Sequence, residues 1–263
     1  MNVATSRSSD LTRQIAVLAA TGFMLVAAMV GTGLFGGTAV QDLQDGALDA
    51  DASYLAPARQ AFSIWSAVYL GLISYAVWQA LPGQRGSERQ RRLGWLIALT
   101  EVLNGLWLVS AQFTTLPLTV LVIVLLLVAL AITWRRAITQ PREGAVSAVL
   151  IDGVTGLHLG WVTLATVANT AAWLTRILPA GAEEAADVWG VVVLIAVAAI
   201  GCGIAWFGRV APSLALCWGL SWLAVGRLTD QPHSTAIGTA AVCAAALIAL
   251  VTVVRVVQRL RRR

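Results

Sequence analysis

Residues 151–176 read IDGVTGLHLGWVTLATVANTAAWLTR. The stretch is long enough to cross a bilayer, which takes about 20 predominantly apolar residues. Yet it carries Asp152, Thr155, His158, Trp161, Thr163, Thr166, Asn169 and Trp173. Insertion requires none of these, and each polar group costs free energy in hydrocarbon. At about 100° per residue, Thr155, His158, Val162, Ala165, Thr166, Asn169 and Trp173 fall on one stripe, with Gly153, Gly156 and Gly160 nearly opposite. One face is therefore suited to close helix packing, within the chain or across a homodimer. A different face carries polar and aromatic chemistry. The plainer reading of the same residues is hydrogen-bonding glue between membrane helices.

The surrounding chain has the composition such a helix needs. Of 263 residues, 58% are hydrophobic and 12% charged, against about 25% charged in soluble domains, and the mean hydropathy is +0.78. The fold class is all-α polytopic membrane protein. Eight spans are expected, roughly 14–36, 61–81, 93–113, 117–138, 147–175, 188–208, 211–228 and 235–257. All 18 basic residues are arginine. They sit in short connections and in the tail, so topology rather than nucleic acid accounts for them. Arginine-bearing connections (82–92, 135–142, 209 and the tail) alternate with acidic or uncharged ones (37–60, 113–117, 183–187, 230). That alternation predicts a multi-pass inner (plasma) membrane protein with both termini cytoplasmic. Arg7 and Arg13 precede an uncleaved first helix rather than a removed leader. Cys202, Cys217 and Cys243 lie in apolar runs without metal-ligand spacing and read as packing residues.

The other spans differ in polarity. The second, from Ala61, places Phe62, Trp65, Ser66 and Tyr69 on one face, at the interface or lining a cavity. In the third, Glu101 and Asn104 lie one turn apart, with Trp107 a turn further. An ionised carboxylate at a helix centre costs about 3 kcal/mol or more. Glu101 is thus expected to face the bundle interior, either as a hydrogen-bonded glue residue or as a proton-titrating group, within possible reach of Asp152. The fourth span is nearly featureless and is expected to face lipid. Arg227, at the outer end of the seventh, is expected to snorkel. The acidic connection 37–60 reads most simply as a solvated loop, with a lid over an outward-facing cavity as the alternative.

Three patterns occur in order: Phe62-x-x-Trp65-x-x-x-Tyr69 on the second span, Leu103-Asn104-x-x-Trp107 on the third, and Trp161-x-x-Leu164-Ala165-x-x-x-Asn169 on the fifth. With 11 tryptophans in the chain, they resemble the TspO/MBR family of tryptophan-rich sensory proteins, over roughly residues 12–176. The resemblance implies a five-helix bundle whose pocket takes porphyrin, haem or a similar planar hydrophobic ligand. It would be lined by Trp65, Tyr69, Asn104, Trp107, Trp161, Ala165 and Asn169. It also implies a division into a cytoplasmic segment 1–13, a bundle 14–176, an additional three-helix region 188–257 and a basic tail 258–263. The chain departs from the family pattern before the second helix, where Ala56-Pro57-Ala58-Arg59 offers one proline and no tryptophan. It also departs at Leu157-His158, where the family has Pro-Tyr, and in the three further spans.

Three functions follow as expectations. The first is a membrane receptor or sensor for a tetrapyrrole, with aromatic faces supplying affinity, Asn104 and Asn169 orientation, and His158 a candidate haem ligand. The second is a proton-coupled transporter using Glu101, Asp152 and His158, although neither an inverted repeat nor paired broken helices stand out. The third is catalysis of the porphyrin breakdown reported for some relatives. No nucleophile–base pair, metal cluster or phosphate loop supports it. Expected partners are membrane lipid, a small hydrophobic ligand and a second copy of the chain.

Overall fold

The structure is a computed structural model that describes residues 8–34, 38–179, 181–207 and 209–262. Arg7, Gly36 and Gly37 lie outside them. Backbone groups in hydrocarbon must be satisfied within their own segment, and the apolar runs fold as helices accordingly. These are α1 (Ser8–Gly31), α2 (Ile64–Ala80), α3 (Glu88–Phe113), α4 (Leu116–Thr139), α5 (Gly144–Ile177), α6 (Ala186–Trp206), α7 (Val210–Thr229) and α8 (Thr235–Arg261). Helix starts carry local signals. Ser87 accepts from the Gln90 amide at the head of α3, and Ser234 from Ile237 at the head of α8. Pro117 opens α4, where the missing N–H is not needed.

The eight expected spans match these helices. Seven are long and apolar enough to cross a membrane. The exception, α7, packs between α5 and α8, and its buried face includes Pro212, Ser213 and Arg227.

Helices α1, α3, α4, α5 and α2 contact one another in that cyclic order and close a ring. Polar groups tie it together: Thr21 to Glu101 at 2.9 Å, Gln14 to the Gln79 carbonyl at 2.7 Å, and Tyr75 to Gln90 at 2.8 Å. The remaining helices extend outward from α5: α7 packs on α5, α8 on α7, and α6 on α8. Gly160 decides the α5–α7 contact. A Cβ there would stand 2.1 Å from the Pro212 carbonyl oxygen, and one at Gly156 would stand 2.9 Å from Ala211 and Pro212. The glycine face is therefore filled within the chain. Gly153 does not share it. It ends a π-helical turn, Ala148–Gly153, and its nearest neighbour is its own helix's Ala148 oxygen at 3.7 Å. A π turn advances less per residue than the α turn assumed on the helical wheel.

Two further expectations change. Helix α4 does not simply face lipid: Thr119, Ile123, Leu126, Leu130 and Thr133 form a buried stripe against the ring interior. Cys202 and Cys217 pack beside the second core, between α5 and the last three helices, but Cys243 is exposed.

Candidate functional site

The ring is capped at one end by the connection between α1 and α2. This segment is acidic, yet Leu43, Ala47, Leu55, Ala56 and Ala58 are buried. It is a lid rather than a plain solvated loop. Polar anchors from three helices hold it. Gln44 donates to the Ala111 and Thr114 carbonyls of α3 and its cap, and Arg176 of α5 donates to the Gln44 and Asp45 carbonyls. The Ala58 amide donates to Trp222 of α7 at 3.2 Å. Within the lid, Arg59 forms an ion pair with Asp49, which holds the Asp49 carboxyl below its usual range.

Arg227 of α7 makes a further anchor and does not snorkel. It is 1% exposed and donates to the carbonyls of Ala50 at 3.0 Å, Ser53 at 3.1 Å and Gln231 at 3.3 Å. Sequence position at a helix end concealed this, because a snorkelling arginine and a loop clamp occupy the same place in the sequence. Trp218 of α7 adds a bond from Nε1 to the Ala61 carbonyl at 3.0 Å.

Beneath the lid lies an apolar cavity of about 60 Å³. Of the predicted residues, Trp65, Asn104, Trp107, Trp161, Ala165 and Asn169 line it. Tyr69 and His158 stand behind. Tyr69 stacks on Trp65 at 5.2 Å and lies 3.5 Å from Asn104 Nδ2. His158 meets the edge of Trp65 at 5.7 Å and is fully buried, with neither ring nitrogen partnered among the described residues. Because His158 is outside the lining, the cavity as built does not present it as an axial ligand to haem iron. Phe62, Ile123, Leu126 and lid residues Leu48 and Pro57 also line the cavity. The buried stripe on α4 has helical spacing and was readable. The lid's part was not, because its apolar residues have no regular period.

Trp161 meets its aromatic neighbours nearly at right angles. Trp161 lies edge-on to Phe62 at 5.5 Å and to Trp65 at 6.2 Å, the arrangement aromatic quadrupoles favour. Trp161 is 1% exposed, and its Nε1 has no partner among the described residues. Asn169 is committed on both sides of its amide. It accepts from Trp107 Nε1 at 2.8 Å and donates to Thr119 at 2.9 Å, which joins α3, α5 and α4 in one chain of bonds. Asn169 thus acts as interhelical glue in the opening stretch. The threonines do not: Thr155, Thr163 and Thr166 each bond the carbonyl four residues back in their own helix, as hydroxyls do when a helix must satisfy them locally.

Glu101 and Asp152 do not meet. Glu101 faces α1 and takes the Thr21 contact. Asp152 sits at the arginine-rich end of the bundle, bound by the buried Arg89 and by Arg142 at 2.8 Å, with Arg209 at 3.7 Å. Glu101 and Asp152 thus have separate partners, and the ring nitrogens of His158 bond to neither among the described residues.

The family model described as TSPO-like protein matches residues 13–254. The match runs past residue 176 and takes in α6, α7 and most of α8. Neither the curated proteins nor the solved structures contain a match to the chain. With five helices ringed about a tryptophan-lined cavity under a lid, and a family match over most of its length, the chain belongs to the TSPO-like protein family and is a polytopic membrane protein.

Proposed function

We propose that the chain is a membrane receptor whose lidded cavity, between α2, α3, α4 and α5, takes a planar hydrophobic ligand of the tetrapyrrole class. Family membership supports the broad class, a membrane protein of sensory or receptor type. One observation carries the finer reading: Phe62, Trp65, Trp107 and Trp161 converge on one apolar cavity, and Trp161 brings a buried donor with no partner among the described residues. An aromatic wall with few polar groups suits a flat apolar ring. The unpartnered donor suits an acceptor on that ring, since an unpaired buried N–H costs about 1–3 kcal/mol.

The closed cavity, about 60 Å³, is far below the roughly 300–1,000 Å³ of drug-sized ligand sites. Binding therefore requires the lid to swing outward, and lid opening becomes part of the function. The distribution of arginine favours the lid end as the outer face, with both termini cytoplasmic.

The test is a titration of the purified chain with protoporphyrin, read by quenching of tryptophan fluorescence. Saturable quenching, weakened in Trp161→Ala and Ala165→Phe chains that still melt cooperatively, is expected. Quenching that is linear in porphyrin, or is identical in those chains, would remove the pocket from consideration.

A further inference from the structure

At the end of the bundle opposite the lid, a cleft of about 700 Å³ opens between α4, α5, α7 and α8. Its polar wall is built by Arg142, Arg209, Arg259 and Arg262. These come from three separate connections and tails, so only tertiary folding assembles them. A single carboxylate, Asp152, lies at its base, and it also serves the buried Arg89. Among the lining residues, four guanidinium groups thus gather beside one carboxylate that Arg89 already shares.

Two of the four are positioned and still have donors to give. Arg142 meets Asp152 through Nε, leaving its terminal nitrogens outside that pair, and it is about half-exposed. Arg209 is anchored by a bond from Nη2 to the Ile138 carbonyl at 3.3 Å, while its buried Nε has no partner among the described residues. The other wall is apolar. Val210 and Leu260 are 51% and 66% exposed, beside Ala211 and Val256.

The retention of arginine in connections at this end explains the sign of the charge. It does not explain why four guanidinium groups gather round one concavity. Arginine forks match phosphate oxygens in pairs, and basic pockets between membrane helices at this boundary receive phosphate head groups. A free phosphate would need the arginines only. The exposed apolar wall beside them is matched by the glycerol and upper acyl carbons of a lipid.

We propose that this cleft binds the phosphate of an anionic phospholipid, with Arg142, Arg209, Arg259 and Arg262 as its ligands and Val210 and Leu260 against its chains. The lipid would link the end of α8 to α5 and to the end of α4. It would thereby brace the last three helices against the ring.

The experiment uses the full chain, with retained lipid counted by native mass spectrometry after exposure to phosphatidylglycerol or phosphatidylcholine. Preferential retention of phosphatidylglycerol is expected. It should fall at least about tenfold in an Arg259→Gln/Arg262→Gln chain, from about 1 kcal/mol per arginine near an anionic lipid. An Arg135→Gln/Arg136→Gln chain, which loses the same charge from exposed positions outside the cleft, should retain the preference. Equal retention of the two lipids by the unaltered chain overturns the proposal. So do equal losses in the two double variants, since that is a general charge effect. Displacement of phosphatidylglycerol by millimolar inorganic phosphate would assign the arginines to a soluble anion and overturn the lipid reading. A folded Arg142→Gln chain probes the polar wall independently from the α4–α5 connection and is expected to lose the preference as well.

Discussion

Replacing Arg227 with methionine tests whether α7 holds the lid shut. The substitution keeps an unbranched side chain and removes the bonds to Ala50 at 3.0 Å and Ser53 at 3.1 Å. Hydrogen bonds from a charged donor contribute about 1.5–3 kcal/mol each. The guanidinium is 1% exposed, so its desolvation offsets much of that gain. The lid should then lose about 2–3 kcal/mol of closing free energy, a roughly 30- to 140-fold rise in the open population. Hydrogen exchange in nanodiscs reads this at the amides of Ala56 and Ala58, which bond to Ser53 and Trp222 in the closed lid. Their exchange should accelerate by that factor while amides in the middle of α7 keep theirs. If a ligand enters through the lid, its association rate should rise in parallel while the open state stays rare. Unchanged exchange at Ala56 and Ala58 would refute the clamp. Equal acceleration throughout α7 would show that Arg227 supports the helix rather than the lid.

Gly160→Ala should separate α5 from α7, because the added carbon meets the Pro212 oxygen at 2.1 Å. A loss at or above the upper end of about 1–3 kcal/mol is expected in thermal melting, whereas Gly153→Ala, with 3.7 Å of room, should melt like the unaltered chain. Asp152→Asn leaves Arg89, 2% exposed, without its counter-charge. Breaking such a pair from one side costs about 3–5 kcal/mol, and Arg89→Met added to it should recover part of the lost melting temperature. The Asp49–Arg59 pair sets a pH limit on the lid. Because the pair holds the Asp49 carboxyl below its usual range, its contribution is present above the ordinary aspartate pKa of about 3.9 and is lost as pH falls through the depressed value. Protection of the Ala50 amide, bonded to Asp49 at 2.7 Å, should therefore hold from neutral pH to about 5. Loss of protection within that range would contradict the pairing.

Much of this protein was legible in one dimension, because two strong physical terms act on local sequence. The cost of unsatisfied backbone in lipid makes each long apolar run a helix, and the eight helices lie close to their expected bounds. The same cost marks Asn104, Trp107 and Asn169 as residues that face the bundle interior, and all three line the cavity, as does Trp161, which the family resemblance supplied. Tertiary structure decided what depends on a partner's position. The glycine face of α5 could have met another helix or another copy of the chain, and it meets Pro212. Thr155, Thr163 and Thr166 could have bridged helices, and they bond their own. Asp152 could have approached Glu101, and it went to Arg89 because both lie at the arginine-rich end. Arg227 could have reached water, and the carbonyls of Ala50 and Ser53 reached it first. Polarity in a membrane helix states that a partner must exist, but a pair of hydrogen-bonding groups has no sequence period, and only the packed fold brings them within about 3 Å.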